Sequence, residues 1–487
     1  MQLPGWLRRP DTEPLILVSN REPFVHTRGP NGEISSSEPA GGLTSALQPL
    51  MSAAGGTWVA WGSGSADFEV TDAESSVGVP PDRPTYRLRR LQLSEEEVRG
   101  YYIESANRTL WPLCHSQLDR LTFDAGCWEV YRKVNERFAA AVRDVAAGRP
   151  ATVWIQDYHL AMVPGVLRRD SRLFIHHFWH IPWPGPDILR MLPVAASLLA
   201  GLLGNDLLVF QTARDRANFL GCVQVFLPDA RVDMRRGVVN RGKHRTTVRA
   251  HPISIDVEAF EALAARADVD QTARSLRRRY LPSGGQLLLG VDRIDYTKGI
   301  PRRFRAFERL LEEHPDQIGR VVFMQIAVPS RQEVPDYAAF EEEVATLTDE
   351  INTRFARPDW RPIELIRENY DTTMLAACYR AADICLVSPL QDGMNLVAKE
   401  FVACQKGGLG ILVLSRFAGA AEEMDGAILV NPYDASAMAG AFHHALAMPP
   451  AEREWRLARM REQLREHTIY DWMNAILQDV SRLRRLA

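Results

Sequence analysis

Residues 386–401 read LVSPLQDGMNLVAKEF. An apolar run, Ile384 to Leu390, gives way to Gln391-Asp392-Gly393-Met394-Asn395, and a new amphipathic run begins at Leu396. An uninterrupted apolar run of this length suits a parallel strand buried on both faces, and the run after it has helical spacing. Two carboxylates, an amide and a lysine (Asp392, Glu400, Asn395, Lys399) therefore sit at the seam between a buried strand and a helix.

The same alternation recurs along the chain. Short apolar runs at 15–20, 152–157, 173–180, 206–211, 286–293, 320–327, 384–390 and 410–415 are separated by longer helical stretches. Such a pattern predicts parallel strands linked by helices, and its length predicts two doubly wound α/β domains. The division is expected near HPISIDVEAF (251–260), giving domains of residues 1–255 and 256–465. A last amphipathic helix is expected in 466–487; its spacing predicts that it packs on something but not on which domain.

Composition narrows the partners. A formal net charge of −3 gives no electrostatic reason to expect a nucleic-acid or membrane surface. The local basic runs, Arg302-Arg303-Phe304-Arg305 and Arg482-Leu483-Arg484-Arg485, read as solvated helix faces. The basic stretch 234–249 reads as an edge hairpin turning at Asn240-Arg241-Gly242 rather than as a nucleic-acid arm. The six cysteines, Cys114, Cys127, Cys222, Cys378, Cys385 and Cys404, form no CxxC pair and fall largely in apolar runs, as buried thiols of a reducing cytoplasm do. The start lacks the apolar core of a signal peptide, and the greasiest segment, 191–204, is shorter than the roughly 20 residues a bilayer requires. The expectation is a cytoplasmic chain.

In open α/β sheets ligands bind at the carboxyl ends of strands, so polar groups at strand ends are the candidates. The first run ends in Ser19-Asn20-Arg21, and Gly41-Gly42 precede a helix, which fits either phosphate approach or an ordinary turn. Arg293 and Lys298 flank the end of the run 286–293; two cations there suit a diphosphate, or Arg293 pairs with Asp292 or Asp295. At the opening seam Asp392 reads as a site carboxylate or as a helix cap, and Leu396 and Val397 would offer N–H groups to an anion. Arg331 follows a strand end and fits a cleft cation or a surface pair with Glu333. In the first half Asp157 and His180 stand at strand ends, and Tyr102 and Trp111 in GYYIESANRTLWPLCH are further candidates, although such aromatics more often belong to a core. His176 and His180 share a strand face on this reading, but no third ligand or general base stands at a metalloenzyme spacing.

SNR…AGGL, LWPLCH, DYHL, HIPWP, VDRIDYTKG, QIAVPSR, DGMNLVAKE and SRFAGAAEE occur in the order found in the trehalose-6-phosphate synthase family, and the resemblance spans residues 15–475. It implies the GT-B fold, two facing Rossmann-like domains with parallel sheets, the C-terminal helix returning to the N-terminal domain. It further implies retaining transfer of glucose from a nucleotide sugar, usually UDP-glucose, to glucose 6-phosphate, with no cofactor and no metal. By that likeness Arg293 and Lys298 hold the donor diphosphate with help from the Gly41-Gly42 backbone. Leu396, Val397, Ala398, Lys399 and Glu400 hold the nucleotide, with Glu400 on the ribose, and the Tyr370 backbone touches the base. Asp392 takes hydroxyls of the donor glucose, and His180 lies beside that sugar. Arg21, Tyr102, Trp111 and Arg331 resemble the acceptor site, its two arginines suited to the 6-phosphate, and Asp157 orients the acceptor. The same likeness extends to glucosylglycerol-phosphate synthases, to pseudo-glycosyltransferases and to non-catalytic sugar-phosphate sensors, leaves the donor base open between UDP, GDP and ADP, and implies possible self-association. The segment 22–40, between Arg21 and Gly41, is expected to shape acceptor choice or to act as a lid.

Overall fold

Parallel strands expose no face to water, so their sequences run apolar throughout, and that is how the central strands of this protein are buried. The computed structural model describes residues 7, 13–39, 42–331, 333–405 and 407–485, with the backbone alone for 42–46. The chain divides into two units, Met1–Pro252 with Met473–Ala487, and Ile253–Trp472.

The strands of the first unit are β1 (Leu15–Val18), β2 (Val25–Arg28), β3 (Ile34–Ser37), β4 (Thr57–Trp61), β5 (Ser76–Val79), β6 (Tyr86–Leu91), β7 (Ala151–Gln156), β8 (Leu173–Phe178), β9 (Leu207–Phe210), β10 (Ala230–Asp233), β11 (Val238–Arg241) and β12 (His244–Ala250). Ten of them form one sheet in the order β10-β11-β12-β9-β8-β7-β1-β4-β6-β5, while β2 and β3 make a separate hairpin. From β12 to β6 every neighbouring pair is parallel; β5, β10 and β11 add antiparallel edges. The chain builds outward from β1 through β4 and β6, then returns to lay β7, β8, β9 and β12 on the other side. The order therefore reverses between β1 and β7, where such sheets receive ligands.

The second unit holds β13 (Gln286–Arg293), β14 (Val321–Val328), β15 (Ile363–Ile366), β16 (Ile384–Val387), β17 (Ile411–Ser415) and β18 (Ile428–Val430), in the order β15-β14-β13-β16-β17-β18 and parallel throughout. Its reversal falls between β13 and β16. These are the strands whose ends carry Arg293 and the opening seam.

All eight sequence-predicted strands are present. The run 173–180 stops pairing at Phe178 and the run 384–390 at Val387, so the polar ends of both are loop, and His180 shares no strand face with His176. The edge hairpin joins β11 and β12, with Arg241 opposite His244, so its turn is Gly242-Lys243 rather than Asn240-Arg241-Gly242. Arg303 is not on a solvated face. It is fully buried, donating to Asp292 at 2.8 Å, to Gln325 at 2.9 Å, to Ser388 at 2.8 Å and to the Lys298 carbonyl at 3.2 Å. This guanidinium ties the end of β13 and the residue after β16 to the middle of β14, which helical spacing alone does not reveal. The last helix, Ile469–Arg484, buries Met473, Ile476 and Val480, and its residues from Met473 onward belong to the first unit. There Asp479 meets His251 at 2.9 Å, and Arg484 donates to Thr152 at 2.6 Å.

Gly299 turns the chain out of the Lys298 loop at φ +68°, and a Cβ there would lie 2.5 Å from the Ser388 carbonyl oxygen. Left-handed backbone costs a non-glycine residue about 1–2 kcal/mol, and the clash adds to it. Gly299→Ala is expected to destabilise the second unit by at least about 1–2 kcal/mol in urea denaturation; a wild-type midpoint would contradict this account of the turn.

Candidate active site

In the first unit the candidates meet at the reversal. At the end of β1 the Ser19 hydroxyl accepts from Trp58 Nε1 at 2.7 Å and donates to the Arg21 carbonyl at 2.6 Å, while Tyr101 donates to the Asn20 side chain at 2.8 Å. These contacts fix the backbone and leave the Arg21 side chain exposed. The next residue, Glu22, turns inward to Arg90 Nε at 2.6 Å, and Arg90 also meets Asp67 at 3.0 Å. Burial, with the Asp67 carboxylate beside it, pushes the Glu22 carboxyl up to about 8. This buried network pins the root of the segment 22–40, whose second strand, β3, is wholly exposed. Gly41 lies outside the described residues, and Gly42 begins the helix Gly42–Ala54.

Asp157 follows β7 with φ 66° and ψ 177°, a conformation that costs a non-glycine residue about 1–3 kcal/mol. Its N–H donates to the Phe178 carbonyl at 2.8 Å, and its Oδ1 accepts from the His180 N–H at 3.1 Å. His180 Nε2 lies 2.8 Å from Gln156 Oε1. Tyr102 stacks on His159 at 5.8 Å, and Trp111 packs on Tyr158 at 5.7 Å. Asp157, His180, Tyr102 and Trp111 are thus gathered on the single turn Asp157-Tyr158-His159. Tyr102 rides on the π-helix Val98–Leu110, which runs directly into Trp111; such helices are rare and recur at functional sites.

In the second unit Lys298 Nζ donates to Asp392 Oδ2 at 2.7 Å, bridging the ends of β13 and β16. Asn395, not Asp392, caps the following helix: its Oδ1 accepts from the Ala398 N–H at 3.4 Å, and its Nδ2 donates to Asp392 at 3.1 Å. Leu396 and Val397 open the helix Leu396–Cys404, so their N–H groups have no carbonyl a turn back. Glu400 accepts from the Tyr379 hydroxyl at 2.8 Å, and burial raises its carboxyl above the usual range. The Lys399 ammonium is turned inward to Glu423 and the Ile253 carbonyl, each at 2.7 Å, so its charge is spent inside the unit. Tyr370 is half-buried, just before the cap of the helix Thr372–Ala381.

Arg331 is 9% exposed and pairs with Asp295 at 3.5 Å rather than with Glu333 at the surface. Arg293 reaches the same carboxylate at 3.8 Å. The cation assigned to the acceptor and the one assigned to the donor therefore share one buried acid. Of the organising residues, Asp295 was read from the sequence only as one alternative partner of Arg293 and not of Arg331, while Tyr379 and Gln156 gave no signal. Among the described residues no three or more His, Cys, Asp or Glu side chains are grouped to hold a metal ion, and no helix is long and apolar enough to cross a membrane.

Paired Rossmann-like units with polar strand ends at their reversal points are the architecture of GT-B glycosyltransferases. Residues 13–482 match the sequence model of glycosyltransferase family 20, and the chain belongs to that family. It is 35% identical to an α,α-trehalose-phosphate synthase (UDP-forming) of Botryotinia fuckeliana, covering 96% of this chain and 89% of the relative. A solved α,α-trehalose-phosphate synthase (UDP-forming) from Burkholderia xenovorans, in complex with glucose-6-phosphate, is similar at TM-score 0.84 and 34% identity over 96% of this chain and 100% of the other. An E. coli structure bound with UDP-2-fluoro glucose is similar at TM-score 0.84 and 34% identity, over 96% of this chain and 99% of the other.

Burial pushes His176 down to about 3, His177 to about 4 and His180 to about 3, so all three are neutral near pH 7. Their folded values lie below the unfolded one, so the unfolded chain binds more protons and stability falls as pH drops from about 6.5 toward 4, by up to about 1.4 kcal/mol per pH unit for each histidine. Neither ring nitrogen of His176 has a hydrogen-bond partner among the described residues, so an apolar ring should replace it at little cost. His176→Phe is expected to keep its stability at pH 7 and to lose less than wild type on acidification to pH 5. Parallel losses in the two proteins would contradict the assignment.

Proposed function

We propose that this protein transfers glucose from UDP-glucose to glucose 6-phosphate with retention at the anomeric carbon, giving α,α-trehalose 6-phosphate and UDP. One observation carries the reading. At the reversal of the second unit a lysine and a carboxylate, Lys298 and Asp392, stand 2.7 Å apart with Arg293 on the adjoining strand end. Breaking a glycosyl–phosphate bond builds positive charge on the sugar and negative charge on the departing diphosphate. A carboxylate for the sugar hydroxyls beside fixed cations for the diphosphate meets both demands at once.

Arg293 and Lys298 neutralise the leaving group, assisted by the Leu396 and Val397 N–H groups. Glu400 takes the ribose hydroxyls, the Tyr370 backbone touches the base, and Asp392 holds hydroxyls of the transferred glucose. Neutral His180 offers a hydrogen bond to that sugar without adding charge near the developing cation. Arg21 and Arg331 are each a cation suited to the acceptor phosphate, Tyr102 and Trp111 line the acceptor, and Asp157 orients it. Retaining glycosidases use a nucleophilic carboxylate close to a second one. Asp392 is instead engaged by Lys298 and Asn395, which favours a one-face route in which the acceptor hydroxyl gives its proton to the leaving phosphate oxygen.

Fixed cations at the diphosphate lead to synthesis that needs no divalent ion, and turnover surviving EDTA tests that. A cytoplasmic setting fits the six free thiols; self-association is tested by light scattering. The decisive assay pairs nucleotide-glucose donors with phosphorylated acceptors and assigns the product linkage by NMR. UDP-glucose with glucose 6-phosphate should give the fastest turnover. A preference for a glycerol phosphate or cyclitol acceptor would favour the sister activities, and binding without turnover a sensor. Arg293→Ala or Lys298→Ala should lower kcat by about a hundredfold, near the 3 kcal/mol typical of losing one charge-stabilising donor; wild-type turnover in either variant would refute the role.

A further inference from the structure

Asp295 is fully buried midway between Arg293 and Lys298, and its two oxygens divide their partners. Oδ1 accepts from the Thr297 N–H at 3.0 Å and the Thr297 hydroxyl at 2.9 Å, capping the turn Tyr296–Lys298 that presents Lys298. Oδ2 lies 3.8 Å from Arg293 Nη2 and 3.5 Å from Arg331 Nη1, and accepts from the Tyr337 hydroxyl at 3.4 Å. Arg331 in turn donates to that hydroxyl. Burial alone would raise the carboxyl, but the Arg331 and Arg293 guanidiniums and the Lys298 ammonium outweigh it and hold Asp295 below the ordinary carboxylate range.

We propose that Asp295 is a positioning residue for the transfer, a single carboxylate that aims Arg293, Arg331 and, through its cap, Lys298 at the phosphoryl groups of both substrates. The inference rests on the reading that these three cations receive phosphate. Three cations on neighbouring loops repel one another, and an arginine side chain has about 2 kcal/mol of rotamer entropy to lose on being fixed. A buried anion in contact with both guanidiniums supplies the attraction that opposes each effect before substrate arrives. Asp295 reaches no substrate itself; its contribution is alignment, which is felt in the transition state more than in ground-state binding.

Asp295→Asn keeps an oxygen for the Thr297 cap and replaces the charge facing the arginines with an NH₂ group. Its kcat and KM are measured with whichever donor–acceptor pair the wild type turns over fastest, so a mistaken acceptor appears in the wild-type matrix and not in the variant. UDP affinity is measured separately by calorimetry. The expected result is a kcat lowered by at least about thirtyfold, with the Kd for UDP unchanged or tighter, because removing a buried negative charge leaves the cations attractive to an anion. Asp295→Glu should recover part of the loss. A kcat within about threefold of wild type would overturn the proposal, as would loss of UDP binding together with kcat, which marks a structural role only. Tyr337→Phe tests the Arg331 arm without changing charge: the acceptor KM should rise at least about fivefold with the donor KM unmoved, and an unmoved acceptor KM would count against it.

Discussion

The ion pair between Lys298 and Asp392 is the contact that organises the strand ends of the second unit. It spans the point in that sheet where the strand order reverses, between the parallel strands β13 and β16, which is where such sheets receive ligands. Beneath it the buried Arg303 ties the two strands and the lysine loop into one rigid floor. A flexible lysine on a surface loop would spread its charge over many positions. Here the Gly299 turn, the Asp295 cap and the Arg303 bond to its own carbonyl leave the loop little freedom.

Backbone strain follows the same map. The described non-glycine residues with positive φ are Ser75, Ser116, Ala147, Asp157, Arg331 and Asn395. Three of these six are at the candidate site: Asp157 at the first reversal, Asn395 at the seam and Arg331 over Asp295. Each such conformation costs about 1–3 kcal/mol and persists only where surrounding bonds impose it. At Asp157 the bonds responsible are those with Phe178 and His180. The strain turns its carboxylate away from the strand direction and onto the loop that carries the histidine.

Strands β13 and β16 were legible in the sequence because burial on both faces leaves an unbroken apolar signature. Strand β18, three residues long, and β6, whose apolar residues alternate with arginines, carry too weak a pattern to be found that way. Arg303 was misread because helical spacing cannot tell a solvated arginine from one threaded beneath a sheet. Family likeness named Arg331 and Arg293 but placed them in different substrate sites; Asp295 was legible as an alternative partner of Arg293 two residues away, whereas its reach to Arg331 is a tertiary fact that no local window contains. The cap at Asn395 was hidden for a similar reason, since Asp392 and Asn395 are both good capping residues and only the backbone decides between them.

The central claim is that the strand ends of the second unit receive a sugar diphosphate on Arg293 and Lys298 with the sugar on Asp392. The most direct measurement is diffraction from crystals of this protein grown with UDP-2-fluoro glucose. The account predicts diphosphate oxygens within hydrogen-bond distance of Arg293 and Lys298 and sugar hydroxyls on Asp392. Nucleotide density elsewhere, or a diphosphate from which both side chains point away, would contradict it.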